Sequence, residues 1–306
     1  MTTCVEIFAG AGGSAIGLSK LKLKHVALVE QNPDACATLR EAGLGPVVEG
    51  DVRKAPLPEA DVLWASFPCQ AWSAAGKRKG AADERNGWPW TVDAIDKVKP
   101  TWFVAENVCG LTFHRKDCDR SGAPEECPAC YFEGVILEDL RERFDHVGWW
   151  VLDAADYGIP QHRKRVFIWA GPKPVSPPQT THGHGMFSHP HVSVSEALNL
   201  SCGERVIGGG SNPRKPGRAQ DRTYTDLTNR PSTTVTAVRI GNAGPWVTLD
   251  EERRLLTLSE LALLQGFPEA YPFHGSSSSK RRQIGNAVPP KMAEVVMRAV
   301  LGGKHA

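Results

Sequence analysis

A cysteine placed to react stands at position 69, in Phe67-Pro68-Cys69-Gln70. It follows an apolar run over residues 61–65 that reads as a buried strand, so Cys69 sits where a strand hands over to a loop. A thiolate there, with a proline before it, is set to act rather than to pack. Taken alone, a lone Cys is more often a small core residue. It does not stand alone. Glu106-Asn107-Val108, Gln161-His162-Arg163-Lys164-Arg165 and Gly285-Asn286-Ala287-Val288 follow in order. The set offers a thiolate for covalent addition, a carboxyl group to give a proton, and guanidinium groups to stabilise developing negative charge.

This ordered set resembles the DNA (cytosine-5)-methyltransferase family, in its bacterial and phage form. The resemblance runs from Ile7 to about Pro290 and is thinnest over residues 172–247. It implies a Rossmann-like methyltransferase fold with a second, smaller, turn- and strand-rich recognition lobe. It also implies that Cys69 attacks C6 of cytosine, which makes C5 enamine-like and able to accept a methyl group. Glu106 fits the proton donor toward N3 and O2 of the base, provided burial raises its pKa. Arg163 and Arg165 alternate into the strand over residues 166–169 and are expected to point the same way. Arg163 is expected to reach the base carbonyl, and Arg165 to brace the loop or bind a phosphate. None of these groups reaches C6 inside a stacked duplex, so the base must be flipped out. The stretch 71–80 is small, Gly-bounded and basic at its tip, which suits a lid over that base. Ser73, Lys77 and Arg78 are its expected DNA contacts.

Upstream, Phe8-Ala9-Gly10-Ala11-Gly12-Gly13 is a glycine-rich turn between a strand and a helix. It lets a ligand approach the backbone at the carboxyl end of a parallel sheet, and by itself it suits nucleotides generally. Glu30 ends the next strand and can hold ribose hydroxyls, while Asp51 follows the third and can accept from an adenine amino group. The resemblance implies that the ligand is S-adenosylmethionine, held by Phe8, Gly10, Gly13, Glu30, Asp51, Pro68 and Asn286, with Gln31, Val52 and Val288 beside them. Gln31 departs from the family, which has an apolar or aromatic residue against the adenine there.

Elements that could position these groups alternate as in a parallel α/β sheet. Strands are expected over 5–8, 25–29, 47–49, 61–65, 102–105, 150–152 and 166–169, with helices from Pro33 and over 133–144. Prolines and turn residues dominate from Pro172 to about Pro245. A helical pattern returns from Asp250 and ends at Gly266-Phe267-Pro268, residues 275–279 read as a flexible serine loop, and a last helix covers 291–301. The catalytic lobe is therefore expected to be 1–171 plus 249–306, and the recognition lobe 172–248.

Composition narrows the setting. The 306 residues are 41% hydrophobic and 23% charged, ordinary for a soluble globular protein that can bury a core. No apolar run approaches the roughly 18 residues that span a bilayer, and the N-terminus reads straight into a strand, so the expected location is cytoplasmic or nucleoid-associated. A formal charge of +2 does not itself argue for nucleic acid. The segment 205–239, however, carries seven Lys and Arg against Asp221 and Asp226. Arg205, Arg214, Arg218, Arg222 and Arg239 are candidates for guanine or phosphate contacts. Thr234, in Ser232-Thr233-Thr234-Val235, matches a family element near the flipped base. The expected partner is double-stranded DNA, the expected state a monomer, and a cognate restriction endonuclease would act separately.

Cys118, Cys127 and Cys130 form Cys-x8-Cys-x2-Cys, with His114, ahead of Cys109, as the expected fourth ligand. The polar residues around them cannot build a core, and a structural zinc would order such a loop. The competing reading is three unrelated reduced thiols. Two rivals to DNA methylation also stand: a tRNA cytosine-5 methyltransferase and a catalytically silent DNA-binding relative. The tRNA branch of the family carries an additional Cys-Phe-Thr motif that this chain lacks, and retention of Cys69, Glu106 and Arg163 argues against silence.

Overall fold

The computed structural model describes residues 1–68, 86–115, 118, 127–183, 185, 188–201, 203–210, 223–237, 246–249 and 252–302. The chain divides into two compact units. One is Met1–Leu152 with Lys164–Pro178 and Ala293–Ala306, and the other is Asp153–Arg163 with Gln179–Met292. Residues 179–248 of the expected recognition segment fall in the second unit, as do residues 249–292.

In the first unit, β1 (Thr3–Ile7), α1 (Gly13–Ser19), β2 (Lys24–Glu30), α2 (Pro33–Glu41), β3 (Val47–Glu49), β4 (Val62–Ala65), α3 (Trp88–Val98) and β5 (Trp102–Val108) alternate along the chain. After them come α4 (Pro128–Tyr131), α5 (Leu137–Arg141), β6 (His146–Asp153) and β7 (Lys164–Gly171). The seven strands lie in the order β3-β2-β1-β4-β5-β7-β6. β1 is parallel to β2 and β4, β2 to β3, and β4 to β5, whereas β7 runs antiparallel to β5. All four residues of β4 are buried, as expected of a strand covered on both faces. The strand order reverses between β1 and β4. The turns leaving these two strands, at Phe8 and Phe67, open on one carboxyl edge, where parallel sheets bind ligands.

Beneath that edge lies a core of Val5, Ile7, Leu63, Phe103 and Ile168, packed with Trp88, Ile95, Phe132, Ile136 and Leu140. Burying each such side chain is worth about 1.5–3 kcal/mol, so the strands that carry the site are also the best anchored. The helix expected over 133–144 begins earlier. Pro128 at the first position of α4 sets the start, and a π-helical turn over Phe132–Ile136 joins α4 to α5.

The second unit holds α6 (Val194–Leu198), β8 (Arg205–Gly210), β9 (Thr223–Asp226), β10 (Trp246–Leu249), β11 (Glu252–Leu255), α7 (Leu258–Leu264) and α8 (Ser277–Asn286). Its four strands form an antiparallel sheet in the order β11-β10-β8-β9. Glu252–Leu255 form β11 rather than the helix expected from Asp250. Thr257 and Glu260 form a capping box that starts α7 only at Leu258. The serine run is not a flexible loop either. The Ser276 side chain accepts from the Ser279 backbone N–H and caps α8, a role serine fills well. The last helix, α9 (Pro290–Leu301), counts with the first unit from Ala293 onward. Among the described residues no helix is long and apolar enough to cross a membrane.

Candidate active site and metal centre

The turn after β1 is shaped by backbone angles that few residues adopt. Phe8 has φ 56°, Gly10 φ 54° and Gly12 φ 82°, all left-handed. For Phe8 this is strained, and such strain collects at ligand-binding sites. Glu30, at the end of β2, holds the turn in place. Its Oε2 accepts from the Gly10 N–H at 2.8 Å, and its Oε1 accepts from the N–H groups of Gln31 and Asn32 at 2.9 and 2.8 Å. A carboxylate offers about four acceptor positions, so one remains for a ligand hydroxyl. Gly13 is buried at the start of α1, Val52 is buried, and Gln31 is exposed.

Asp51, just beyond β3, is already engaged. The Arg53 Nε donates to both carboxylate oxygens at 2.9 Å, and Arg53 Nη2 also contacts Oδ2. These side-chain bonds, with that from the Arg53 backbone N–H, hold the Asp51 carboxyl down at about 2. The guanidinium carbon of Arg53 lies 4.8 Å from the ring centre of Trp90, and Trp90 is 6.5 Å from Phe8. Arg53 and Trp90 escaped the sequence reading. The spacing of Arg53 from Asp51 was visible, but stacking on a residue in α3 is decided only by the fold.

Cys69 lies outside the described residues, but the backbone leading to it does not. Asn107 in β5 donates from Nδ2 to the Phe67 carbonyl at 3.1 Å, and Phe67 packs edge-on against Trp88 at 5.5 Å. Pro68 is half-buried. One residue before Asn107, Glu106 is only 7% exposed and meets Arg165 of β7, Nε to Oε1 at 2.9 Å. The antiparallel register of β5 and β7, which sets Val108 opposite Arg165, brings the two side chains together.

Arg163 goes elsewhere. The charge-stabilising role was expected of Arg163 first, but its guanidinium is buried within the second unit. It donates to the carbonyls of Val235, Gly285 and Ala287 at 2.9–3.1 Å. Gln161 beside it accepts from the Val235 N–H at 2.7 Å and donates to the Leu264 carbonyl and Gln265. The Gln161 motif, the Thr234-Val235 element and the Gly285 motif are thus one buried polar network. Gly285 is required there, since a Cβ would stand 2.2 Å from the Ala237 nitrogen. Asn286 ends α8 exposed, Val288 is buried, and Thr234 donates to the His162 carbonyl at 2.8 Å. Arg205, in β8, is exposed and paired with Asp226. Ser73, Lys77, Arg78, Arg214, Arg218, Arg222 and Arg239 lie outside the described residues.

His114, Cys118, Cys127 and Cys130 converge, while Cys109 is not among them. Cys118 Sγ is 3.5 Å from Cys130 Sγ, and His114 Nδ1 is 3.6–3.8 Å from the three sulfurs. Zinc bonds of about 2.3 Å to sulfur and 2.0–2.1 Å to nitrogen put tetrahedral ligand atoms about 3.5–3.8 Å apart. The donor set therefore fits zinc in both chemistry and spacing. Burial opposes ionisation of Cys127, but hydrogen bonds from the backbone of Cys130 and Arg115, and from Cys118 and His114, bring its thiol down to about 6. Burial and the neighbouring Cys118 and Cys127 push Cys130 up to about 12.

The model of the family described as C-5 cytosine-specific DNA methylase matches residues 2–199 and 210–302. Type II methyltransferase M.NgoMIV of Neisseria gonorrhoeae is 31% identical over 329 residues, covering 98% of this chain and 97% of its own. Type II methyltransferase M.AplI of Arthrospira platensis is 28% identical, covering 97% of this chain and 84% of its own. Among solved structures, a DNMT2 mutant from Spodoptera frugiperda superposes with a TM-score of 0.67 at 16% identity, over 98% of this chain and all of that one. This last likeness speaks for the fold.

Proposed function

Since the chain belongs to the family of C-5 cytosine-specific DNA methylases, we propose how its residues divide the work of the reaction it catalyses, transfer of a methyl group from S-adenosylmethionine to C5 of cytosine in DNA. The cofactor supplies an electrophilic methyl group on a sulfonium sulfur. Cys69 Sγ adds to C6 of a flipped cytosine, and C5 takes the methyl group. Loss of the C5 proton with expulsion of the thiolate then restores the base. Glu106 holds a proton at N3, and Arg165 fixes the Glu106 carboxyl and faces the charge that develops on the base. Arg163 is a structural clamp. The observation that carries this reading is the half-sequestered Glu106–Arg165 pair, one residue from the Asn107 bond to Phe67. It supports the reading because Glu106 of β5 and the Phe67 turn after β4 lie on adjacent strands.

Glu30 and Asp51 hold the ribose and adenine of the cofactor, with Phe8, Gly10, Gly13, Gln31, Val52, Pro68, Asn286 and Val288 completing the set. Asp51→Ala is expected to weaken S-adenosylmethionine binding by about 1–3 kcal/mol, the loss of a hydrogen-bond acceptor. Calorimetry showing unchanged affinity would remove Asp51 from the pocket.

Residues 172–248 read one double-stranded sequence, and Arg205 must exchange Asp226 for phosphate or guanine to take part. The protein works as a monomer in the cytoplasm, with any cognate restriction endonuclease acting separately. Bisulfite sequencing of DNA from cells expressing the chain should find C5-methylated cytosine in one recurring sequence. Methylation confined to tRNA, or none at all, would overturn the DNA reading.

His114, Cys118, Cys127 and Cys130 hold one structural zinc, remote in chemistry from methyl transfer. Protein purified without a metal-affinity column should carry about one zinc per chain by elemental analysis. Zinc near zero, with these thiols titrating freely in the native state, would leave three unrelated cysteines.

A further inference from the structure

The zinc ligands are joined by a short path to the residues that flank the nucleophile segment. Cys127 precedes α4 and Cys130 lies within it, so an ion held by both spans the first turn of this helix. The next residue, Tyr131, is buried, and its hydroxyl accepts from Asn86 Nδ2 at 2.8 Å. Asn86 in turn accepts from the Trp88 N–H at 3.3 Å through Oδ1. Between them, Gly87 lies so close to Pro68 that a Cβ would stand 2.5 Å from the proline Cδ. Pro68 and Asn86 therefore bound residues 69–85 at one place. Asn107 secures that place from the β5 side, and Tyr131 from the α4 side.

α4 runs on through the π turn into α5, where Phe132, Ile136 and Leu140 enter the core, so the helix is anchored from its far end. A metal that ties Cys127 and Cys130 to His114 and Cys118 would fix its first turn, and with it the Tyr131 hydroxyl one residue on. We propose that the metal centre acts as a positioning brace for the nucleophile: through α4 it seats Tyr131 on Asn86, and so sets where the chain carrying Cys69 leaves the sheet. Tyr131 and Asn86 are positioning residues in this scheme, and the metal governs turnover without meeting cofactor or DNA. The inference rests on the reading of His114, Cys118, Cys127 and Cys130 as zinc ligands.

The test separates the two. Tyr131→Phe and Asn86→Ala each delete the hydrogen bond and leave all four ligands in place. Each variant, with its zinc content measured, should keep the metal and the wild-type Kd for S-adenosylmethionine and KM for DNA. Each should lose roughly ten- to a hundredfold in kcat, and equally in the rate of covalent trapping on 5-fluorocytosine DNA, because small misplacements of a reacting group carry penalties of that size. The double variant should lose no more than the worse single variant, since both remove the same Tyr131–Asn86 hydrogen bond. If one of the two variants fails to fold, the other carries the test. Retained zinc with wild-type kcat and trapping rates would overturn the brace and leave the metal site intact. Additive losses would also overturn it. Wild-type protein free of zinc, yet fully active, would overturn the metal reading and the brace with it.

Discussion

Cys69→Ser is expected to abolish methyl transfer while S-adenosylmethionine still binds within about twofold of wild type. C6 of cytosine is a weak electrophile, and only a thiolate, a strong nucleophile with an accessible ionised form, adds to it at a useful rate. A serine hydroxyl keeps the size and loses the ionised form, so the loss should be at least about a thousandfold, as when a covalent nucleophile is removed elsewhere. Binding should survive because the cofactor side is built separately: Glu30 holds the Gly10 turn through its own hydrogen bonds. The assay is transfer of a labelled methyl group to DNA, with calorimetry on the same protein. A second measurement gives the chemistry its signature. On a duplex with 5-fluorocytosine at the target, the C5 substituent cannot leave as a proton, so thiolate expulsion stalls. Wild-type protein should form a denaturation-resistant adduct, and Cys69→Ser none. Substantial turnover by the variant would move the nucleophile elsewhere.

How much of this could be read from the residues follows from the range of the forces involved. The parallel sheet was legible because its central strands β1, β4 and β5 are short runs buried on both faces. The segment 47–49 falls where it was expected, and β4 begins one residue later than expected. The cysteine spacing was legible too, because a Cys-x2-Cys turn is local. His114 was the expected fourth ligand ahead of Cys109, and the path of the chain after β5 brings it to the three sulfurs. Capping was misread as flexibility at Ser276, because serine serves both and the deciding bond is to Ser279. The larger difference concerns the two arginines. Spacing says that Arg163 and Arg165 alternate, and nothing more. Arg163 is claimed by carbonyls 72, 122 and 124 residues away. No local pattern encodes partners at such distances. The same holds for Arg53 over Trp90, 37 positions apart in the chain.

Those two arginines should fail in opposite ways when removed. Arg165→Ala is expected to leave a folded protein that binds cofactor, with kcat reduced by on the order of 10²–10³, the usual effect of losing one preorganised charge at a reacting group. Its guanidinium meets Glu106 at 2.9 Å and fixes the direction of that carboxyl on a buried strand. Arg165→Lys keeps the charge but loses the planar fork, so it should recover only part of the rate. Glu106→Gln should cost about as much as Arg165→Ala. If the pair handles one proton, the double variant should be little worse than either alone, since groups that act as a unit are not additive. Arg163→Ala should instead strand the carbonyls of Val235, Gly285 and Ala287 in the interior of the second unit. The expected result is about 3–5 kcal/mol of lost stability, roughly one buried hydrogen-bond penalty per carbonyl, read as a lower urea midpoint. The fraction that remains folded should turn over at close to the wild-type rate per active site. An Arg163→Ala protein of full stability and no activity, beside an active Arg165→Ala, would reverse the two roles and return the charge at the base to Arg163.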